Sequence, residues 1–235
     1  MNHCLNNVRY RKVKIEMFQG FSEETNEFLW GIRLNNSREW FQPRKQVYID
    51  HVYNPLKELA FLVQEEMLRL YPQEQFNCKV TRIYRDARIP HPDGPYKTNL
   101  WFSLEAPRDP DIHPAAPNLF FEIQGGRFAT GMDFYCNTPS VMETFRTRAL
   151  ENPAALEKLT LYLMERPEYQ LLGPEYKRSK GEVGPLLAPW FNRKRLYLIN
   201  PRDWDSEVLS SETLVKLVTD DFQWLMPFYQ YFSGL

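Results

Sequence analysis

Between Arg82 and Asn99 the chain reads RIYRDARIPHPDGPYKTN, three arginines and a lysine within eighteen residues. A guanidinium stays charged at physiological pH and presents a planar fork of donors that fits carboxylate or phosphate. Two such forks converging on one opening make an anion site. On an extended strand, Arg82, Asp86 and Arg88 share one face and Arg85 points to the other. Asp86 would then orient one guanidinium and leave another for a ligand. The Gly94-Pro95 turn returns the chain, so that Tyr96, Lys97 and Asn99 come near the strand end. With Asn36 from the upstream segment NNSREWF, the expected ligand contacts are Arg82, Arg85, Asp86, Arg88, Tyr96, Lys97, Asn99 and Asn36. The expected ligand is small and anionic, bearing phosphate or carboxylate. The pattern names no reaction, no catalytic residue and no cofactor. The competing reading is a non-enzymatic interaction module in which the Arg/Asp cluster is a structural ion-pair network.

Other chemistry finds less support. Asp109, Asp111 and His113 have ligand-type side chains but lie in a proline-rich loop with no element to fix them, so no metal site is expected. The remaining histidines, His3, His51 and His91, form no HxxxH pair. Cys4, Cys78 and Cys136 are an odd, widely spaced set without a CxxC, which argues against a disulfide framework or structural zinc and for a reducing, cytoplasmic setting. Ser37, Ser103 and Cys136 have no nucleophile elbow or neighbouring base. Gly125-Gly126 reads as a turn, since no phosphate loop or dinucleotide fingerprint surrounds it.

These residues must be held by elements that the hydrophobic pattern delineates. Ser22 reads as the cap of a helix carrying Phe28, Leu29 and Ile32, which ends near Asn35-Asn36 with asparagine in the left-handed conformation. Ser37 then caps a second helix with Trp40, Phe41 and Tyr48, the aromatics facing the core. Together these make an N-terminal helical hairpin. Asn54-Pro55 reads as the start of a further amphipathic helix through Leu70. From Asn77 the alternation of a strand runs through Arg82 and Asp86, with more strands near 101–104, 118–123 and 127–135, the last two joined by Gln124-Gly125-Gly126. Residues 106–117 read as a loop between strands. Helices follow near 140–149 and 153–165, then a short strand at 195–199 and a long C-terminal helix over 211–232. The expected class is α+β, a mostly antiparallel central sheet flanked by helices.

The 235 residues are 43% hydrophobic and 15% aromatic, enough for a sizeable core. A formal charge of −1 provides no whole-molecule attraction to phosphate backbones or anionic lipid, so nucleic-acid binding is not expected. The longest apolar runs, such as Leu119 to Phe121, fall far short of the roughly 20 residues of a spanning helix. Residues 1–16 carry Arg9, Arg11, Lys12 and Lys14 without an apolar stretch, and read as a mobile basic tail. Met17 precedes the onset of globular patterning and could begin the functional chain. Residues 17–235 read as one domain, with no repeat and no linker, and oligomeric state is not legible.

The segments NNSREWF at 35–41, RIYRDAR at 82–88 and PYKTN at 95–99, followed by an FFEI strand and Gly131, together resemble the uncharacterised family catalogued as domain of unknown function twenty-four sixty-one. The resemblance spans about residues 18–232. The usual motif R-x-x-R-D-x-R-F departs here, with Ile89 in place of phenylalanine and HPDG before PYK, which keeps the charged positions. The resemblance implies one domain and supplies no reaction. It marks Asn35, Asn36, Trp40, Phe41, Arg82, Arg85, Asp86, Arg88, Tyr96 and Lys97 as signature residues.

Overall fold

Residues 18–107, 116–135 and 139–233 are described by the structure, a computed structural model. The basic tail, Cys4, Cys136 and the trio Asp109, Asp111 and His113 lie outside these residues.

Helix α1 (Glu23–Leu34) carries Glu23 and Glu24 in its first turn, where the helix dipole favours negative charge, and buries Phe28, Leu29 and Ile32 along one stripe. Ser22 precedes it in extended backbone, yet its hydroxyl meets His51 Nδ1 at 3.1 Å and caps no backbone N–H. Asn35 closes α1 without the expected left-handed backbone, at φ −133° and ψ 54°. Its side-chain amide and its backbone N–H both donate to the Gly31 carbonyl, at 3.1 and 2.9 Å, which does the work of a left-handed turn. Ser37 caps α2 (Arg38–Phe41) as expected, its Oγ accepting from Trp40 N at 3.2 Å.

The expected break at Asn54 is absent. From α2 the backbone stays helical through a 3₁₀ turn (Gln42–Arg44), α3 (Lys45–Val47) and a π-helical stretch (Tyr48–Tyr53) into α4 (Asn54–Leu70). Pro43 and Pro55 each lack an N–H, and tightening or widening the winding around them lets the helix continue where the regular bonding pattern would fail. The Asn-Pro pair therefore marks a change of pitch.

The sheet is antiparallel throughout, in the order β1-β2-β3-β4-β6-β5. Its strands are β1 (Asn77–Val80), β2 (Asn99–Glu105), β3 (Ala116–Gln124), β4 (Arg127–Tyr135), β5 (Gln170–Leu172) and β6 (Leu196–Asp203). Gly125 and Gly126 make the β3–β4 hairpin, with Gly126 at φ +81°. The strand read from Asn77 stops at Val80. Beyond it only a Tyr84–Tyr96 bridge continues the pairing.

Helices α5 (Pro139–Glu151), α6 (Pro153–Met164), α7 (Ala188–Phe191), α8 (Ser206–Leu209) and α9 (Thr213–Ser233) complete the chain. Helices α1, α4 and α9 cover one face of the sheet. There Phe102, Phe121, Phe134 and Leu198 meet Phe222, Leu225, Phe228 and Phe232 in one continuous core. Burying each such side chain contributes about 1.5–3 kcal/mol. Strict alternation along β3 leaves the opposite face with Asn118, Phe120, Glu122 and Gln124 only half-buried. Among the described residues, no helix is long and apolar enough to cross a membrane.

Candidate functional site

The Gly94-Pro95 return forms as the sequence suggests. Arg85 N–H donates to the Pro95 carbonyl at 3.0 Å and Lys97 N–H to the Ile83 carbonyl at 2.8 Å, flanking the Tyr84–Tyr96 bridge. Gly94 sits at φ +99°, and a Cβ there would fall 2.4 Å from the Asn36 carbonyl oxygen, so the α1–α2 junction presses directly on this turn. Asn36 uses its whole amide to clamp Tyr96: Nδ2 donates to the Tyr96 carbonyl at 2.9 Å, and Oδ1 accepts from Tyr96 N–H at 3.0 Å. The amide thus takes the place of a neighbouring strand. The Tyr96 ring stacks on Phe41 at 4.3 Å, both rings buried. Phe41 faces the core, as expected, and Trp40 packs at its margin.

This weld leaves a cleft of about 700 Å³ between the start of the long helical segment and the 84–96 loop. Arg38 and Gln42 line it from one side, Tyr84, Arg85 and His91 from the other, with Ile89 and Pro90 as an apolar rim. Arg85 is aimed by its own strand return, its Nε donating to the Tyr96 carbonyl at 2.8 Å, while Nη1 lies 3.5 Å from His91 Nδ1. A guanidinium only donates, so in this contact His91 Nδ1 stands as the acceptor. Among the described residues neither Arg38 nor Arg85 forms an ion pair. Burial, and Tyr84 beside it, push the Tyr96 phenol above its ordinary range, and Arg38 pulls the other way.

The expected contacts separate into three groups. Arg85 and Tyr96 line the cleft, with Asn36 holding Tyr96 from behind. Asp86 also borders it but is occupied: it takes Arg88 Nη2 at 2.7 Å, Nε at 3.0 Å and the Arg88 N–H at 3.0 Å in an exposed turn. Those donors hold its carboxyl below the usual range. Arg88 points to solvent, and Arg82 is exposed and forms no ion pair among the described residues. Lys97 and Asn99 belong to the outward face of the sheet. Lys97 Nζ donates to Thr81 Oγ1 at 2.8 Å and to the Arg82 carbonyl at 2.9 Å, and lies 5.0 Å from the Trp101 ring. Asn99 donates to Glu122 Oε2 at 2.6 Å. The shared face proposed for Arg82, Asp86 and Arg88 does not form, because a turn at Asp86 closed by Ile89 N–H replaces extended backbone.

Sequence reasoning omitted Arg38, Gln42, Tyr84 and His91 as contacts. Arg38 stands in NNSREWF, and Tyr84 and His91 stand inside the basic run, so the motifs contained the signal. The long-range docking that orders these side chains is not visible in local spacing.

A six-stranded antiparallel sheet with helices on one face and a cationic cleft at one corner defines an α+β protein with a candidate ligand site in its loops. The chain belongs to the family of conserved hypothetical proteins DUF2461, which it matches over residues 24–231. No curated protein matches it.

Proposed function

We propose that the cleft between Arg38 and Arg85 binds a small anion, a phosphate or carboxylate carried on a compact organic body. One observation carries this reading: two guanidiniums without an ion pair among the described residues open on the same cavity, whose bordering carboxylate, Asp86, is taken by Arg88, beside the His91 imidazole. The donors match an anion's oxygens, and Tyr84, Ile89 and Pro90 match an apolar body. Asp86 does not compete, because Arg88 occupies it. Of the residues expected as direct contacts, Arg82 and Lys97 act only through their charge, and Asn99, a neutral amide bound to Glu122, takes no part. No reaction is assigned to the site.

A thermal-shift titration of the full chain with inorganic phosphate and with phosphoenolpyruvate, which bears both anionic groups, tests the reading. A ligand that binds only the folded state raises the melting temperature. We expect a dose-dependent rise that weakens about tenfold or more in apparent Kd for Arg85→Ala and for Arg38→Ala, a loss of about 1.4 kcal/mol or more. Added sodium chloride should weaken it too. Absence of any shift in the wild type would remove the anion reading. It would leave the interaction module, which rests on exposed Leu161 and Met164, one turn apart on α6.

A further inference from the structure

The outward face of the sheet carries a second cavity, of about 720 Å³, separate in its lining from the arginine cleft. Its floor is aromatic. Gly131 lacks a side chain where the Phe120 ring lies: a Cβ there would fall 2.5 Å from that ring's tip and 2.3 Å from the Leu198 carbonyl. Trp101 on β2 and Tyr197 on β6 stand on either side of this floor. Strand pairing sets Trp101 opposite Glu122 and Asp133 opposite Tyr197, so each ring is flanked by a carboxylate. Ala129 faces Glu122 from β4, and this small residue keeps the trough open.

Charge and hydrogen-bonding capacity narrow the ligand. The two cations in the lining already face acids: Lys79 Nζ lies 4.0 Å from Glu105, and Arg195 pairs with Asp133. Glu122 is held by the Asn99 amide at 2.6 Å and the Gln124 amide at 3.3 Å, and burial pushes its carboxyl up from the usual value. With Lys97 Nζ 5.0 Å from the Trp101 ring, three cations stand against Glu105, Glu122 and Asp133, so the trough has no surplus charge of either sign. Glu105 and Glu122 retain acceptor positions beyond those in use, since a carboxylate has about four lone-pair sites. Amide groups of Asn99 and Asn118 add both donors and acceptors. A ligand that fits must be uncharged, rich in donors at its edge and apolar on its flat side. A pyranose ring has those properties, with C–H groups on its face and hydroxyls around its rim.

We infer that the trough on the outward face of the sheet is a saccharide-binding site, with Trp101, Phe120 and Tyr197 as the stacking floor and Glu105 and Glu122 as hydroxyl acceptors. The site is independent of the anion cleft.

Saturation-transfer NMR on the full chain tests it, with cellotriose and maltotriose as probes and adenosine as an uncharged aromatic comparison, each with and without excess phosphate. The expected result is transfer to the ring C–H protons of at least one trisaccharide, undiminished by phosphate. The signal should fall about fivefold or more in Trp101→Ala, the loss of a central aromatic contact. Asn118→Ala, at the rim and milder for folding, should lower it as well, with circular dichroism confirming that both variants fold. Transfer to neither trisaccharide overturns the inference. So does transfer to adenosine alone, or a trisaccharide signal unchanged in both folded variants.

Discussion

Two arginine clusters in this molecule have opposite fates. Arg166 and Arg202 converge on Asp221, a carboxylate buried at 3% exposure in the middle of α9. Arg202 Nη2 reaches Asp221 Oδ2 at 2.6 Å, Arg166 Nη2 reaches Oδ1 at 3.4 Å, and Thr130 Oγ1 donates to Oδ2 at 2.6 Å. This cluster ties β4, β6 and the chain after α6 to the long helix. Arg38 and Arg85 instead face an open cleft whose bordering acid, Asp86, is taken by Arg88. The difference teaches that arginine content alone does not mark a ligand site. A guanidinium whose donors are taken by a buried carboxylate is part of the frame, whereas one fixed by a single carbonyl and left facing a cavity is available to a partner.

The largest expected effect lies in the frame. Asp221→Ala leaves two guanidiniums near the core without their acid and should cost about 3 kcal/mol in urea unfolding. Arg85→Ala removes one hydrogen bond to the Tyr96 carbonyl and should cost about 1 kcal/mol or less. Equal losses for the two variants would erase the distinction between frame and site. Next comes the wall of the cleft. Gly94→Ala puts a Cβ against Asn36 at positive φ, for a loss of about 2 kcal/mol, and should weaken phosphate binding because Tyr96 and Arg85 share that return. Stability and binding falling together are expected there. In Arg38→Ala binding alone should fall.

How far these two regions could be read in the sequence differs in an instructive way. The cleft announced itself, since Arg85 and Tyr96 belong to one short run and the Gly94-Pro95 return is encoded locally. Its far wall did not, because Arg38 meets the run only after Asn36 docks on Tyr96, sixty residues away in the chain. The Asp221 cluster was wholly illegible: Thr130, Arg166, Arg202 and Asp221 come from four separate segments, and Asp221 sits in a helix whose pattern otherwise signals only an apolar stripe. The same limit explains the sheet. Periodicity located β2, β3 and β4, but three-residue β5 is too short to show alternation, and the Arg82–Asp86 alternation occurs in backbone held by a single bridge.

A smaller effect concerns Glu122, a carboxylate whose partners are amides rather than cations. Burial raises its pKa, so its folded-state contribution is present below the ordinary carboxylate value and is lost as pH rises through the raised one. Glu122→Gln keeps an acceptor for Asn99 and removes that loss. The variant should therefore gain stability relative to wild type between acid and neutral pH. A constant difference across that range would mean that the carboxyl is solvated after all.

The smallest and most discriminating effect belongs to Lys97, a further cation that forms no ion pair among the described residues, standing between the cleft and the sheet. Burial, then Arg85 and Lys79, lower its pKa from the ordinary 10.5. The folded chain consequently releases this proton before the unfolded chain does, and stability should rise with pH across the interval between the lowered value and the ordinary one. Following the Lys97 Cε resonance by NMR should locate its titration below that of exposed lysines. In Arg85→Ala the titration should move back upward, because one like charge is gone, whereas Asp221→Ala should leave it in place. A Lys97 that titrates at the ordinary value would mean that the field of Arg85 does not extend to it, and the cleft would then have to attract its anion through Arg38 and Arg85 alone.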